Sequence, residues 1–88
     1  MLEYHAVYHE GEDGWVVAEI IDYPGVLSQG RTLGSARRMI RDALRLLAGS
    51  LVEEGRPLPK PEPGAQDAKA DFQETIPLQV RIICGTAS

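Results

Sequence analysis

The sequence predicts an α+β domain: a small sheet built in the order strand, strand, strand, helix, strand (β-β-β-α-β), with one long helix laid across it as a second layer. Three observations carry this. Residues 2–9 and 15–21 are strand-like and flank a short polar, glycine-containing turn. Residues 33–51 carry one apolar stripe at three- and four-residue spacing, and the two-residue alternation returns from residue 75 onward.

In the first strand Leu2, Tyr4, Ala6 and Tyr8 alternate with Glu3, His5, Val7 and His9. The run Glu10-Gly11-Glu12-Asp13-Gly14 turns the chain into a second strand, Trp15 to Ile21, so the two read as an antiparallel hairpin. Val16, Ala18 and Ile20 face one way; Trp15, Val17 and Ile21 share the other with Glu19. Apolar residues on both faces place this strand at the centre of the sheet, under a cover, or in a subunit contact. Pro24-Gly25 breaks it, and Val26 to Gln29 forms a short third strand ended by Gly30.

Thr32 is the expected helix N-cap, its hydroxyl accepting a first-turn amide. Leu33, Ala36, Ile40, Ala43, Leu44, Leu47 and Leu51 form the buried stripe, and Gly55 is placed to close the helix in the left-handed conformation. Residues 56–71 hold four of the six prolines and read as an extended crossover. The last strand is expected from about Thr75 to Cys84, with Pro77 placing it at an edge. The whole of residues 1–88 reads as one domain.

The chain has 88 residues, 43% hydrophobic and 25% charged, which suits a soluble globular fold without room for a separate active-site domain. Its net charge of -4 argues against general nucleic-acid binding. The charge is segregated: residues 1–30 contain Glu3, Glu10, Glu12, Asp13, Glu19 and Asp22 with no Lys or Arg, whereas Arg31, Arg37, Arg38, Arg41 and Arg45 face only Asp42 between positions 31 and 45. Cys84 is the single cysteine and can form neither an internal disulfide nor a zinc cluster. Neither an export signal nor a membrane span is evident, so the cytoplasm is the expected location.

No residue set specifies catalysis, a metal or a cofactor. His5 and His9 lie on one strand face, but no serine or cysteine nucleophile stands beside them, so surface or subunit contacts are expected of them. Glu19, Asp22 and Asp42 would have to converge to hold magnesium for a metal-dependent nuclease, and nothing in their spacing requires it. Asp22 reads as a turn residue whose carboxylate accepts nearby backbone amides; Pro24 and Gly25 set the turn, Gly30 ends the third strand and Thr32 caps the helix. Trp15, Val17, Ile21 and Tyr23 are the candidate contact residues for a partner or a second copy, Tyr23 serving a core role equally well. Arg37 and Arg41, with Arg45, stack at i,i+4 away from the apolar stripe, where their repulsion calls for an acid or a partner. Arg37, Arg38, Arg41 and Arg45 could also touch RNA phosphates, although no aromatic platform accompanies them.

Taken in order, Gly14-Trp15-Val16-Val17-Ala18, Asp22-Tyr23-Pro24-Gly25, Gly30-Arg31-Thr32, the helical run Ala36 to Leu47 and Gly55-Arg56-Pro57-Leu58-Pro59-Lys60-Pro61 resemble the HicB-like antitoxin family. Ile21 stands where members often have proline, and Gly34-Ser35 where acidic residues are common. The resemblance implies a degenerate ribonuclease H-like fold without its catalytic centre, and no enzymatic activity. It implies a small HicA-like toxin that degrades messenger RNA as the partner, blocked by being covered, and self-association into dimers or tetramers. Many longer members add a C-terminal DNA-binding segment; this sequence stops after its last strand, and direct DNA binding is not expected. The alternative is a stand-alone homo-oligomer without a toxin, ahead of a weak RNA-binding or metal-dependent nuclease domain.

Overall fold

The structure is a computed structural model and describes residues 2–78. Strands β1 (Leu2–Glu10), β2 (Val16–Ile20) and β3 (Leu27–Gly30) precede helix α1 (Leu33–Glu53), and β4 (Phe72–Leu78) follows it. The sheet is antiparallel throughout, in the order β3-β2-β1-β4. The expected order of elements holds, and β2 lies inside the sheet. Among the described residues β4 is an edge strand, which accommodates Pro77 opposite Glu3. It begins at Phe72, three residues ahead of the expected start, because residues 72–74 extend the pairing along β1 as far as Tyr8. Its expected continuation through Cys84 lies outside the described residues.

Alternation along β1 and β2 sends Tyr4, Ala6, Tyr8, Ala18 and Ile20 to one side, where they meet Ala36, Ile40, Leu44 and Ala48 of α1, with Ile76 and Leu78 of β4. Ile40 and Leu44 are fully buried, and each contributes about 2 kcal/mol through burial. The helix stripe is narrower than its sequence suggests. Leu33 and Leu47 remain exposed at 40% and 41%, because the four-residue steps from Ala36 to Ala48 follow the line of contact with the sheet, with Ala43 and Leu51 packed partly buried at its margin.

Local chemistry sets the boundaries. Thr32 is extended and its hydroxyl accepts the Ser35 N–H at 3.0 Å, as expected of an N-cap. At the other end Gly55 has φ 70°, and the amides of Gly55 and Arg56 close on the carbonyls of Val52 and Leu51. The hairpin turn is one 3-10 turn, Glu12–Gly14, in which Asp13 adopts φ 56°. No helix among the described residues is long and apolar enough to cross a membrane.

The proline-rich segment is tied down rather than free. Tyr4 Oη donates to Pro59 O at 2.6 Å, and the Glu62 N–H donates to Asp22 Oδ2 at 3.1 Å. Gln73 then donates to Ala65 O at 2.7 Å and accepts the Asp67 N–H at 3.2 Å. Gln73 sits opposite Val7, whose side chain points away from the helix, and both Val7 and Ala65 are buried outside the main core. The crossover therefore covers the β1 and β4 half of the sheet's second face.

Candidate functional site

Asp22 follows β2 and its carboxylate organises the chain around it. One oxygen accepts the His5 N–H at 2.8 Å; the other lies 2.7 Å from His5 Nδ1 and accepts the Glu62 N–H. Burial works against this carboxylate, but the His5 backbone and ring bonds and the Glu62 amide outweigh it and hold its pKa below the usual value. The amides it accepts are not the nearby ones expected of a turn residue: they lie 17 and 40 residues away in sequence. Gly25, at φ 90°, completes the turn after Pro24, and Val26 N donates back to Tyr23 O. His9 Nε2 lies 3.1 Å from Asp67 Oδ2, so both histidines face an aspartate.

The arginine ladder is placed differently from expectation. Arg37, Arg41 and Arg45 each follow a buried stripe residue by one position, about 100° round the helix, and so flank the core beside β4 instead of standing opposite it. Glu74 meets them: Arg37 Nε and Nη2 donate to its two oxygens at 2.9 and 2.8 Å, and Arg41 Nη2 lies at 3.7 Å. Tyr8 Oη donates to the same carboxylate at 2.6 Å. Burial opposes ionisation of Glu74, but these bonds and charges hold its pKa below the ordinary range, while burial and the bond to Glu74 push the Tyr8 phenol up. Arg45 pairs with Asp42 on the helix surface. Glu74 was not among the candidates because it lies 37 residues from Arg37; the clustered arginines signalled that an acid was needed, not which one.

The remaining contact candidates separate. Val17 points to the second face, half-buried, opposite His9 and Gln29. Ile21 is half-buried directly after β2 and donates its N–H to His5 O. Trp15 is half-buried with the Arg31 guanidinium 4.3 Å from its ring centre, a cation–π contact. Tyr23 belongs to the core: it is 5% exposed and packs on Tyr4 with ring centres 5.3 Å apart, and its hydroxyl has no hydrogen-bond partner. It borders a groove of about 550 Å³ shared by Leu47, Leu51, Pro57 and Pro59. The β3 edge leaves Leu27 61% exposed.

Glu19, Asp22 and Asp42 do not converge: Glu19 faces out from β2, Asp22 is engaged with His5, and Asp42 sits on the outer helix surface. Among the described residues no three His, Cys, Asp or Glu side chains are grouped to hold a metal ion. What the geometry offers instead is protein surface: an acidic end at the hairpin turn, where Glu10, Glu12, Asp13 and Asp71 are exposed, and a basic flank along α1.

No family model matches the sequence, and no curated protein matches it. Solved structures do. The N-terminal domain of the Burkholderia pseudomallei antitoxin HicB superposes with a TM-score of 0.73 at 20% identity, over 90% of this chain and 100% of that one. A chain of a HicA3 and HicB3 toxin-antitoxin complex superposes with a TM-score of 0.57 at 23% identity, over 68% and 69% of the two chains. At these identities the likeness shows a common fold, the one that the order of motifs had indicated.

Proposed function

We propose that this chain is a non-enzymatic, HicB-like antitoxin that binds a small HicA-like, mRNA-degrading toxin and blocks it by covering its RNA-binding surface. The observation that carries the reading is the common fold over nine-tenths of the chain with a HicB N-terminal domain. A chain of a HicA3 and HicB3 complex shares it in part. The two largely buried carboxylates add support: Asp22 is occupied by His5 and Glu62, and Glu74 by Arg37 and Tyr8, so each holds the fold together rather than standing ready to bind a metal or activate water.

Self-association and a cytoplasmic location belong to the same reading. Leu27 on the β3 edge and Val17 beside it give a second copy apolar surface to bury, within the half of the sheet that the crossover leaves open.

Light scattering of the purified chain, alone and with the product of an adjacent small basic reading frame, tests the proposal. A stable hetero-complex is the expected result. A homo-oligomer that ignores every such product would leave a stand-alone protein and overturn the antitoxin reading.

A further inference from the structure

At the end of the sheet beside the start of α1 lies a groove of about 340 Å³ lined by Tyr8, His9, Glu10, Val16, Leu33, Asp71 and Phe72. Its floor is apolar and partly open: Phe72 and Leu33 are 41% and 40% exposed, and the Phe72 ring stacks beside Tyr8 with centres 5.5 Å apart. Its rim is anionic. Glu10 is cross-strand to Val16, so its side chain rises on the groove side of the sheet. Asp71 is fixed beside it, with Oδ2 accepting the Glu10 N–H at 2.7 Å and its own N–H donating to Tyr8 O. Glu12 and Asp13 continue the negative surface across the turn. Among the described residues no Lys or Arg forms an ion pair with any of these four carboxylates, whereas Glu74, Asp42 and Glu54 each have an arginine.

Apolar floor and anionic rim together match one kind of side chain, an aliphatic stem ending in a cation. The first turn of α1 borders the groove, and its positive end opposes a cation with roughly half a unit charge. The Glu10 and Asp71 carboxylates outweigh it. A protein that degrades RNA must hold phosphates with lysine and arginine, so whatever covers that surface has to present acids.

We propose that this groove receives a lysine or arginine side chain from the RNA-binding surface of the toxin, with the stem on Phe72, Leu33 and Val16 and the cation between Glu10 and Asp71. This rests on the antitoxin reading and adds where, and through which chemistry, the partner is held.

Two arms separate the inference from its premise. In the first, amide spectra of the full chain are titrated with N-acetyl-arginine amide and N-acetyl-lysine amide at low salt, with N-acetyl-glutamine amide as the neutral control. Shifts centred on Glu10, Asp71, Phe72 and Leu33, absent with the glutamine probe and lost in an E10Q/D71N variant, are expected; equal shifts with all three, or none at these residues, overturn the groove as a cation site. The D71N change retains a side-chain oxygen for the Glu10 amide, and a near-unchanged melting temperature confirms the variant is folded. In the second arm, affinity for the toxin of the adjacent reading frame is compared between wild type and E10Q/D71N. A loss of at least about tenfold, with a flatter salt dependence, supports the proposal. Unchanged affinity overturns the groove as interface while the antitoxin reading stands, and a groove that binds the cationic probes in a chain that binds no toxin overturns the partner assigned to it.

Discussion

Gly30 shows how one residue can be fixed by its surroundings. A Cβ there would lie 2.5 Å from the Ala36 backbone nitrogen and 2.7 Å from the Ser35 hydroxyl, so neither strand end nor helix start could keep its place. Gly30→Ala is expected to cost about 2 to 3 kcal/mol, by analogy with overpacked cores, read as a lowered melting temperature with the far-ultraviolet spectrum retained. The glycine was legible in the sequence as a strand terminator; the close approach of the helix was not, since it depends on how α1 docks. Glu74 sits at the other extreme, with nothing local to mark it. Because its pKa and that of Asp22 are depressed in the native state, the stability they add is complete above their unfolded values, near pH 4 to 4.5, and is lost as pH falls through the native values. Glu74→Gln is therefore expected to lower the melting temperature at neutral pH and to flatten its fall between about pH 5 and 3, with an unchanged slope contradicting the assignment.

At the scale of elements, the strands, the helix and both helix caps could be read from periodicity and from the chemistry of Thr32 and Gly55, because those signals are local. The crossover could be read only as extended. Its proline content says nothing about a landing place, and the contacts that fix it run from Asp22, Tyr4 and Gln73, each distant in sequence. The arginine series was misplaced for a related reason: helical spacing gives angular position, but only the docked sheet decides that Arg37 and Arg41 flank the core beside β4. Asp22→Ala removes the acceptor shared by the His5 and Glu62 amides. Hydrogen exchange is expected to speed up at those two amides and along the early crossover, while α1 keeps its protection; unchanged exchange at Glu62 would show that the prolines alone hold the segment.

For the whole molecule, charge and open apolar surface are distributed unevenly. The acidic hairpin end, the arginine flank of α1 and the half-sheet around Val17 and Leu27 differ in charge and in polarity. Trp15→Asp is expected to reduce the mass of any homo-oligomer by removing the aromatic anchor and burying a charge in its place, and an unchanged mass with a folded variant would exclude this face. The exposure of the four candidate contact residues was only partly legible. Trp15, Val17 and Ile21 are half-buried; Tyr23, equally aromatic, is enclosed between Tyr4 and the helix end, a difference set by tertiary packing.

The most direct test is RNA cleavage by the purified product of any adjacent small basic reading frame, titrated with this chain. Cleavage that falls linearly to zero at a fixed whole-number stoichiometry, with the toxin recovered intact, is the outcome expected of a blocking antitoxin. Cleavage that continues at saturating chain, or RNA degraded by the chain alone, would contradict it.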